Sequence, residues 1–287
     1  MAGKSRSVAA YKFFNGVNVG IIYLVLGIVA FFVIYPMVYI LSAAVTPGNT
    51  ISVNNVLPFA EGFTWDHFTH LFNKTNYLLW FRNTLIIALG TAACTVVVSS
   101  LAAYAFSRFR FTFKRSLMVS LLILQIFPSF VGMIAMYVIL LRIDGLDKLW
   151  GLVLVYVAGN TPYNTWLVKS YMDTLPRSMD EAARIDGASN FYTFVKIVLP
   201  MAKPIITFLA IVSFTGPWMD FIFPKMVLRS PKMQTLALGL FSMVTEKKNE
   251  FTNFAAGALI VAVPFIVFFL AGQKIMVMSL GSAAVKE

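Results

Sequence analysis

The 287-residue sequence is poor in charge, in cysteine and in histidine. Only 12% of its residues are charged, against about 25% in an ordinary soluble domain, which excludes a typical water-soluble protein. The single cysteine, Cys94, excludes an intrachain disulfide and a four-cysteine zinc site. The two histidines, His67 and His70, are too few for a closed metal site, so we expect a surface pair and no bound metal.

Long apolar runs dominate the chain instead, and 59% of all residues are hydrophobic. A helix needs about 20 apolar residues to cross a membrane, and six segments approach or reach that length. A β-barrel would show short alternating segments, so the sequence predicts an all-α membrane protein with six transmembrane helices. The predicted spans are residues 20–45, 84–106, 117–141, 149–168, 204–223 and 254–272.

Basic residues set the predicted orientation. The chain has a net charge of +11, and an excess of basic residues is expected in those loops of a membrane protein that stay in the cytoplasm. Because the loops explain the positive charge, nucleic acid is not a predicted partner. The short loop 108–115 holds four basic residues and no acid, which places it and both termini in the cytoplasm. The predicted parts are a cytoplasmic arm 1–19, a six-helix domain 20–276 with outer loops 46–83 and 224–253 and inner loop 170–203, and a cytoplasmic tail 277–287.

The inner loop 170–203 is predicted to form two short helices. Ser178 and Glu181 have the spacing of a capping box, and Asp180 suits the positive end of the same helix. Gly187 is placed to close this helix with a positive φ, and a second helix should stop before Pro200. The pair makes either a knob for a partner protein or a helical hairpin lying on the membrane.

The same loop contains Glu181-Ala182-Ala183, then Gly187 after three residues, Ile197 after nine more and Leu199-Pro200 after one more. This spacing resembles the EAA motif of binding-protein-dependent ABC importer permeases, and the chain is similar throughout to the maltose-type, MalG-like members. Tyr104-Ala-Phe-Ser-Arg-Phe, Asp186-Gly-Ala and Phe214-Thr-Gly-Pro are also similar to that family. The resemblance implies a type I ABC importer permease fold, with a coupling helix that seats in a cleft of an ATPase. Its implied coupling residues are Glu181, Ala182, Ala183, Asp186, Gly187, Ile197, Leu199 and Pro200.

The resemblance also implies the partners. They are a second, homologous (MalF-like) permease subunit, an ATPase dimer and an extracytoplasmic sugar-binding protein, assembled in the lipid bilayer of a bacterial cytoplasmic (inner) membrane. The chain has no Gly-x-x-x-x-Gly-Lys-[Ser/Thr] phosphate loop, so ATP and Mg should bind to the separate ATPase. We therefore expect no cofactor and no catalysis in this chain, and a role as a permease subunit for oligosaccharides, most of all maltodextrins.

The end of the chain resembles the short tail that contacts the ATPase in maltose-type permeases. Leu280, Val285 and Lys286 are its implied contact residues, although Ser279 and Ala283 replace glycines of the family pattern. The alternative is a frayed terminus without a partner.

Polar residues within the spans are candidates for a sugar route. Polar groups at membrane depth are tolerated where they face protein or a water-filled cavity, so they either line a pathway or join helices. Asp220 is the one acidic residue inside a predicted span, where a solvated helix end is the alternative. The candidates are Gln125, Asn160, Tyr163, Asn164, Trp166 and Asp220.

Two other classes of membrane protein fit the sequence less well than the importer. An ion-coupled secondary transporter should bury ionisable residues in its helices, yet five of the six spans contain none. A membrane enzyme acting on lipid-linked sugars needs clustered acids or histidines, and the acids of the inner loop fit helix ends instead. The outer loop 224–253 has a net charge of +3, which suits either an acidic face of a partner protein or an acidic sugar as cargo.

Overall fold

The computed structural model describes residues 2–49, 57–126, 128–245 and 249–284. Within these ranges the regular elements are helices, and no β-strand occurs. The apolar runs become long helices because a backbone in lipid must satisfy its hydrogen bonds internally. The helices are α1 Ala2–Val45, α2 Asp66–Lys74, α3 Tyr77–Arg108, α4 Lys114–Ile126, α5 Ser129–Arg142, α6 Leu149–Asp173, α7 Ser178–Ile185, α8 Asn190–Thr193, α9 Leu199–Met201, α10 Lys203–Met219, α11 Ile222–Val227, α12 Leu236–Phe241 and α13 Phe251–Ala284.

The predicted spans correspond to helices, with two exceptions. The fifth, residues 204–223, runs past the end of α10 at Met219, because Asp220 is extended. The third span was expected to be a single helix, but it consists of α4 and α5, whose axes differ by 104°. Pro128 stands between them, and proline cannot donate the backbone hydrogen bond that a continuous helix needs. Among the described residues, three helices are long and apolar enough to cross a membrane, or up to five if each bent pair is one span, so the count of six stays a prediction.

The chain divides into two compact units. In unit 1, the large apolar side chains of α1 from Val19 to Leu41 are mostly exposed, as expected of a helix in contact with lipid or another protein. A hydrogen bond fixes the end of α1, since Val45 O accepts from Thr64 N at 2.7 Å. Unit 1 comprises Met1–Asn73 and Met243–Leu259, and unit 2 comprises Lys74–Ser242 and Ile260–Glu287.

Unit 2 is built around α3, which packs against α6 and α10. Most buried residues of α3 are small, and small residues let neighbouring helices approach closely in a membrane. One apolar cluster joins α3, α6 and α10 to residues of the inner loop 170–203. Its buried members are Ala103, Tyr104, Val168, Met172, Phe194, Val198, Ala202 and Leu209.

A close contact between α3 and α12 provides a test of this packing. A Cβ atom at Gly239 would overlap the indole ring of Trp80, so we expect Gly239→Ala to destabilise the protein by about 1–3 kcal/mol through overpacking. Thermal unfolding of the detergent-solubilised protein measures the effect. Gly216→Ala is the matched control, because no atom lies within 4 Å of the corresponding position. Equal melting temperatures for the two variants would contradict the packing described.

Candidate functional site

Helix α7 begins and ends close to where the sequence predicts. Its first residue is Ser178, as expected, but the residue that precedes the helix is Arg177 and no side chain caps the helix. The predicted capping box is therefore wrong in its hydrogen bonds. The other end is confirmed, because Gly187 has a φ of +82°. Gly187 N donates to Arg184 O and Ala188 N donates to Ala183 O, which is the hydrogen-bond pattern of a Schellman motif.

The second helical segment is longer than predicted. Ser189 caps α8 by accepting a hydrogen bond from Tyr192 N at 3.2 Å. A π-helical turn, Phe194–Val198, then leads into α9, and the segment continues through Pro200 to Met201. The prediction that it stops before Pro200 is wrong, because this proline lies near the start of α9, where a missing N–H is tolerated. At Ala202 the chain bends by 82° into α10.

The surface of this segment combines polar and apolar groups. Glu181, Ala182, Asp186 and Gly187 are exposed, as is Pro200, whereas Ala183 is buried and Ile197 and Leu199 are half-buried. A cleft of about 500 Å³ opens beside the Gly187 turn. Its lining residues are Ala183, Asp186, Gly187, Ala188, Ser189, Tyr192 and Ile197.

Ile185 was not among the residues predicted from the sequence. Its side chain, at the end of α7, is 87% exposed, and Phe191 and Tyr192 nearby are also exposed. The signal was available, because Ile185 is a large apolar residue in a short helix that is otherwise mainly polar. Exposed apolar groups of this kind are typical of a protein interaction surface.

Buried charges attach α7 to the end of α3. Arg108 Nε lies 3.0 Å from Asp180 Oδ2, and the two side chains are only 3% and 7% exposed. Arg177 Nη2 donates to Ser107 O at 3.3 Å, and Arg108 Nη2 donates to Leu175 O at 3.3 Å. The ends of α3 and α6 and the start of α7 are thus joined at one place, which we call the EAA end of unit 2 (residues 107–114 and 169–203).

Asp173 strengthens the same junction. Its carboxylate accepts hydrogen bonds from Ser107 Oγ at 2.7 Å and from Lys169 Nζ at 2.5 Å. Burial raises the pKa of Asp173, but these two hydrogen bonds outweigh burial, so the pKa lies below its usual value. The sequence placed Asp173 and Asp180 at helix ends, whereas the structure shows that both carboxylates make side-chain contacts across the junction.

Three of the predicted pathway residues meet in one cavity of unit 2. Gln125 from α4, Asn160 from α6 and Asp220, which follows α10, line a space of about 520 Å³. Tyr156 lines it too, and its hydroxyl donates to Asp220 Oδ2 at 2.7 Å. The other oxygen, Asp220 Oδ1, accepts from Ile222 N at 2.9 Å. Tyr156 was missed, although it lies one helical turn before Asn160.

The remaining pathway candidates lie elsewhere on α6. Asn164 is buried within unit 2, while Tyr163 and Trp166 have exposed side chains. None of the three lines the cavity around Asp220. The polar stretch of α6 is therefore divided, because the α6 residues that line this cavity run only from Val155 to Pro162.

The histidines of unit 1 are not a simple surface pair. His67 is buried, with Nε2 2.7 Å from Thr46 O and Nδ1 2.9 Å from Asn253 Oδ1. His70 is half-buried. The expectation was wrong for His67 because it lies four residues before the fully buried Leu71, on the inner face of α2. Among the described residues, no three His, Cys, Asp or Glu side chains are grouped to hold a metal ion.

The predicted C-terminal tail is helical throughout its described residues, 277–284. Leu280 belongs to α13, which continues to Ala284. Val285 and Lys286 lie outside the described residues.

The helical bundle and the EAA end together define a membrane component of a transport system. Residues 95–277 match the family described as binding-protein-dependent transport system inner membrane component. The chain belongs to this family, whose members are membrane subunits without a catalytic site of their own. It is accordingly a multi-pass protein of the cytoplasmic membrane.

Several individual proteins are similar to this chain over nearly its whole length. The maltodextrin transport system permease protein MdxG of Bacillus subtilis is 40% identical over 92% of this chain and 95% of its own length. The galactooligosaccharides transport system permease protein GanQ of the same species is 37% identical over 92% and 94%. Among solved structures, a bacterial ABC transporter involved in import of the acidic polysaccharide alginate superposes with a TM-score of 0.75 at 21% identity, over 92% of this chain and 96% of that one. This last likeness supports the fold.

Proposed function

We propose that this chain is a permease subunit of an ATP-driven importer of oligosaccharides, with maltodextrins as the most favoured cargo. The observation that carries the proposal is α7, a short exposed helix with the EAA spacing, closed by Gly187 and joined to α3 through buried charges. The permease has a type I fold with six transmembrane helices. Both termini and the EAA end face the cytoplasm, in agreement with the basic loop at residues 108–115.

The subunit works within a larger assembly. A second, homologous permease completes the pathway, an ATPase dimer binds ATP and Mg, and an extracytoplasmic binding protein delivers the sugar. When the ATPases close, α7 is displaced together with the EAA end of unit 2. The assembly thereby switches between inward and outward access, an equilibrium that the nucleotide biases.

The surface of this chain to which the ATPase binds consists of the exposed side of α7 and the cleft beside it. Glu181, Ala182, Asp186 and Gly187 supply its polar and small residues, and Ile185 supplies an apolar anchor. The C-terminal end, including Leu280, Val285 and Lys286, reaches the same partner. Ile197, Leu199 and Pro200 support the surface from the second helical segment.

The cavity around Asp220 is part of the sugar route. Amide groups of Gln125 and Asn160, together with the Asp220 carboxylate, suit the hydroxyl groups of a sugar. Among its described lining residues there is one acid and no basic side chain, so an uncharged oligosaccharide fits the cavity better than an acidic one. This favours neutral cargo, in line with the names of the two relatives from Bacillus subtilis.

Reconstitution tests the proposed function. The complete complex in proteoliposomes, supplied with the binding protein, should take up labelled maltodextrins only when ATP is hydrolysed. Galactooligosaccharides and alginate oligosaccharides serve as alternative cargoes in the same assay. Uptake by the permeases without an ATPase subunit would contradict the proposal, because it would indicate a secondary transporter.

Variants of two tyrosines in α6 test whether the cavity around Asp220 lies on the sugar route or only joins helices. Tyr156→Phe removes the hydrogen bond to Asp220, and we expect uptake to fall at least about tenfold, since a hydrogen bond to a charged group contributes about 1.5 kcal/mol or more. Tyr163→Phe is the matched control, because Tyr163 does not line the cavity. Equal uptake by both variants, at equal amounts of assembled complex, would show that the cavity is not on the route.

A further inference from the structure

The pair Arg108–Asp180 differs from the other ion pairs of the protein. Three are present among the described residues, and Lys148–Asp144 and Lys169–Asp173 join residues four apart on partly exposed surfaces. Arg108 and Asp180, by contrast, are 72 positions apart and almost fully buried. Neither carboxyl oxygen of Asp180 accepts a hydrogen bond from another described residue, so the guanidinium of Arg108 compensates its buried charge.

Burial of such a pair does not by itself stabilise a protein. Desolvation of two charges offsets much of their attraction, and an apolar pair of similar size often serves stability as well. A buried ion pair instead fixes the direction and distance between two elements. The two charges stay together because a buried charge without its partner is costly. Its position in the chain therefore indicates what it holds in place.

The pair connects an element that receives force to one that crosses the membrane. Asp180 lies in the first turn of α7, and Arg108 is the last residue of α3. Between α6 and α7 the chain has only the turn around Thr174 to Arg177. Two hydrogen bonds join this turn to α3, from Arg177 to Ser107 O and from Arg108 to Leu175 O, but they do not reach α7 beyond the turn. Without the ion pair, α7 can therefore pivot about the turn when it is pushed.

We propose that Arg108 and Asp180 are positioning residues of the transport cycle, a strut that passes the displacement of α7 directly to α3. The inference rests on the proposed function and adds a specific route for the movement. Helix α3 packs along α6, which carries Tyr156 and Asn160 of the cavity. A displacement of α3 at the EAA end is thereby transmitted to the helix that lines the sugar route.

Coupling efficiency in the reconstituted complex tests the strut. The measured quantity is the number of sugar molecules imported per ATP hydrolysed, with Asp180→Asn and Arg108→Gln as the variants. We expect this ratio to fall about tenfold in each, in the range known for residues that modulate coupling between distant sites. Basal ATP hydrolysis, compared at equal amounts of assembled complex, should stay close to that of the wild type. Asp144→Asn, which breaks an exposed ion pair, is the matched control and should leave the ratio unchanged.

The exchanged pair, Arg108→Asp with Asp180→Arg, should restore at least half of the lost efficiency. A residue that only supports folding would lower uptake and ATP hydrolysis together, so the ratio would not change. An unchanged ratio in Asp180→Asn therefore overturns the strut, as does an exchanged pair that assembles but shows no recovery.

A measurement on the chain with its native pair covers variants that fail to assemble. Spin labels at the exposed positions 110 and 184, after Cys94→Ser, report the distance between the end of α3 and α7. This distance should be the same in the nucleotide-free complex and in the complex trapped with ADP and vanadate. A change between the two states would show that α7 moves without α3 and would overturn the inference.

The two proposals fail in different ways. If the wild-type complex does not hydrolyse ATP in response to the sugar-loaded binding protein, the proposed function itself is wrong. If the wild type responds and Asp180→Asn imports as much sugar per ATP, only the role of the ion pair is wrong.

Discussion

Replacement of Ile185 by aspartate is expected to separate the chain from its ATPase while the helical bundle stays folded. The side chain is 87% exposed at the end of α7, so the bundle does not depend on it. Loss of a central apolar contact in an interface costs about 2–4 kcal/mol, and a charge placed there adds a desolvation cost. We therefore expect association with the ATPase to weaken roughly 30-fold to 1,000-fold.

Co-purification of the ATPase with the permease pair measures this effect. Ile185→Leu is the control, since it keeps an apolar side chain of similar volume and should retain the ATPase. The melting temperature of the Ile185→Asp permease should match that of the wild type. Normal recovery of the ATPase with Ile185→Asp would mean that the partner docks elsewhere.

Replacement of Gly187 by valine is expected to uncouple ATP hydrolysis from transport. Gly187 has a φ of +82°, a conformation that costs a residue with a Cβ atom about 1–2 kcal/mol, and β-branched residues are accommodated least well. Nothing lies within 4 Å of the position where a Cβ would be, so the strain comes from the backbone alone. Relief of that strain opens the turn and changes the direction of α7.

The readouts are sugar uptake and ATP hydrolysis stimulated by the binding protein. Gly187→Asn is the matched control, because asparagine tolerates the left-handed region better than other residues with a Cβ, and it should retain most of the transport. If Gly187→Val transports sugar normally with normal stimulation of ATP hydrolysis, the turn has no part in coupling.

Local features of the inner loop were predictable from the sequence. The end of α7 before Gly187 follows from a signal within a few residues, and the position of its start near Ser178 was also predicted. Such signals depend on the dihedral angles and hydrogen bonds of a single turn. Arg177, which precedes α7 with a helical conformation of its own, explains why the capping box of Ser178 does not form.

The contacts that organise the candidate sites were not predictable in the same way. Arg108 is one of several basic residues in a short loop, and nothing in its neighbourhood points to Asp180. Tyr156 and Asp220 are 64 residues apart, and their hydrogen bond depends on how α6 packs beside the end of α10. A single sequence records which side chains are present, but partners of this kind are decided by tertiary packing.

The long helices were predicted correctly in some respects and not in others. Hydropathy locates α1, α3 and α13 well, because length and apolarity are summed over many residues. It does not show that the third predicted span is divided beside Pro128. In α6 the polar residues that give the cavity its character also lower the apolarity by which a span is recognised.

The turn that ends α7 is closed by main-chain atoms, through the bonds from Gly187 N to Arg184 O and from Ala188 N to Ala183 O. Apart from the glycine, its shape asks little of the side chains that project from it. The exposed side chains of the turn can therefore be exchanged without altering its backbone. We expect such substitutions to change which partner surface the turn fits while the helices beneath it keep their arrangement.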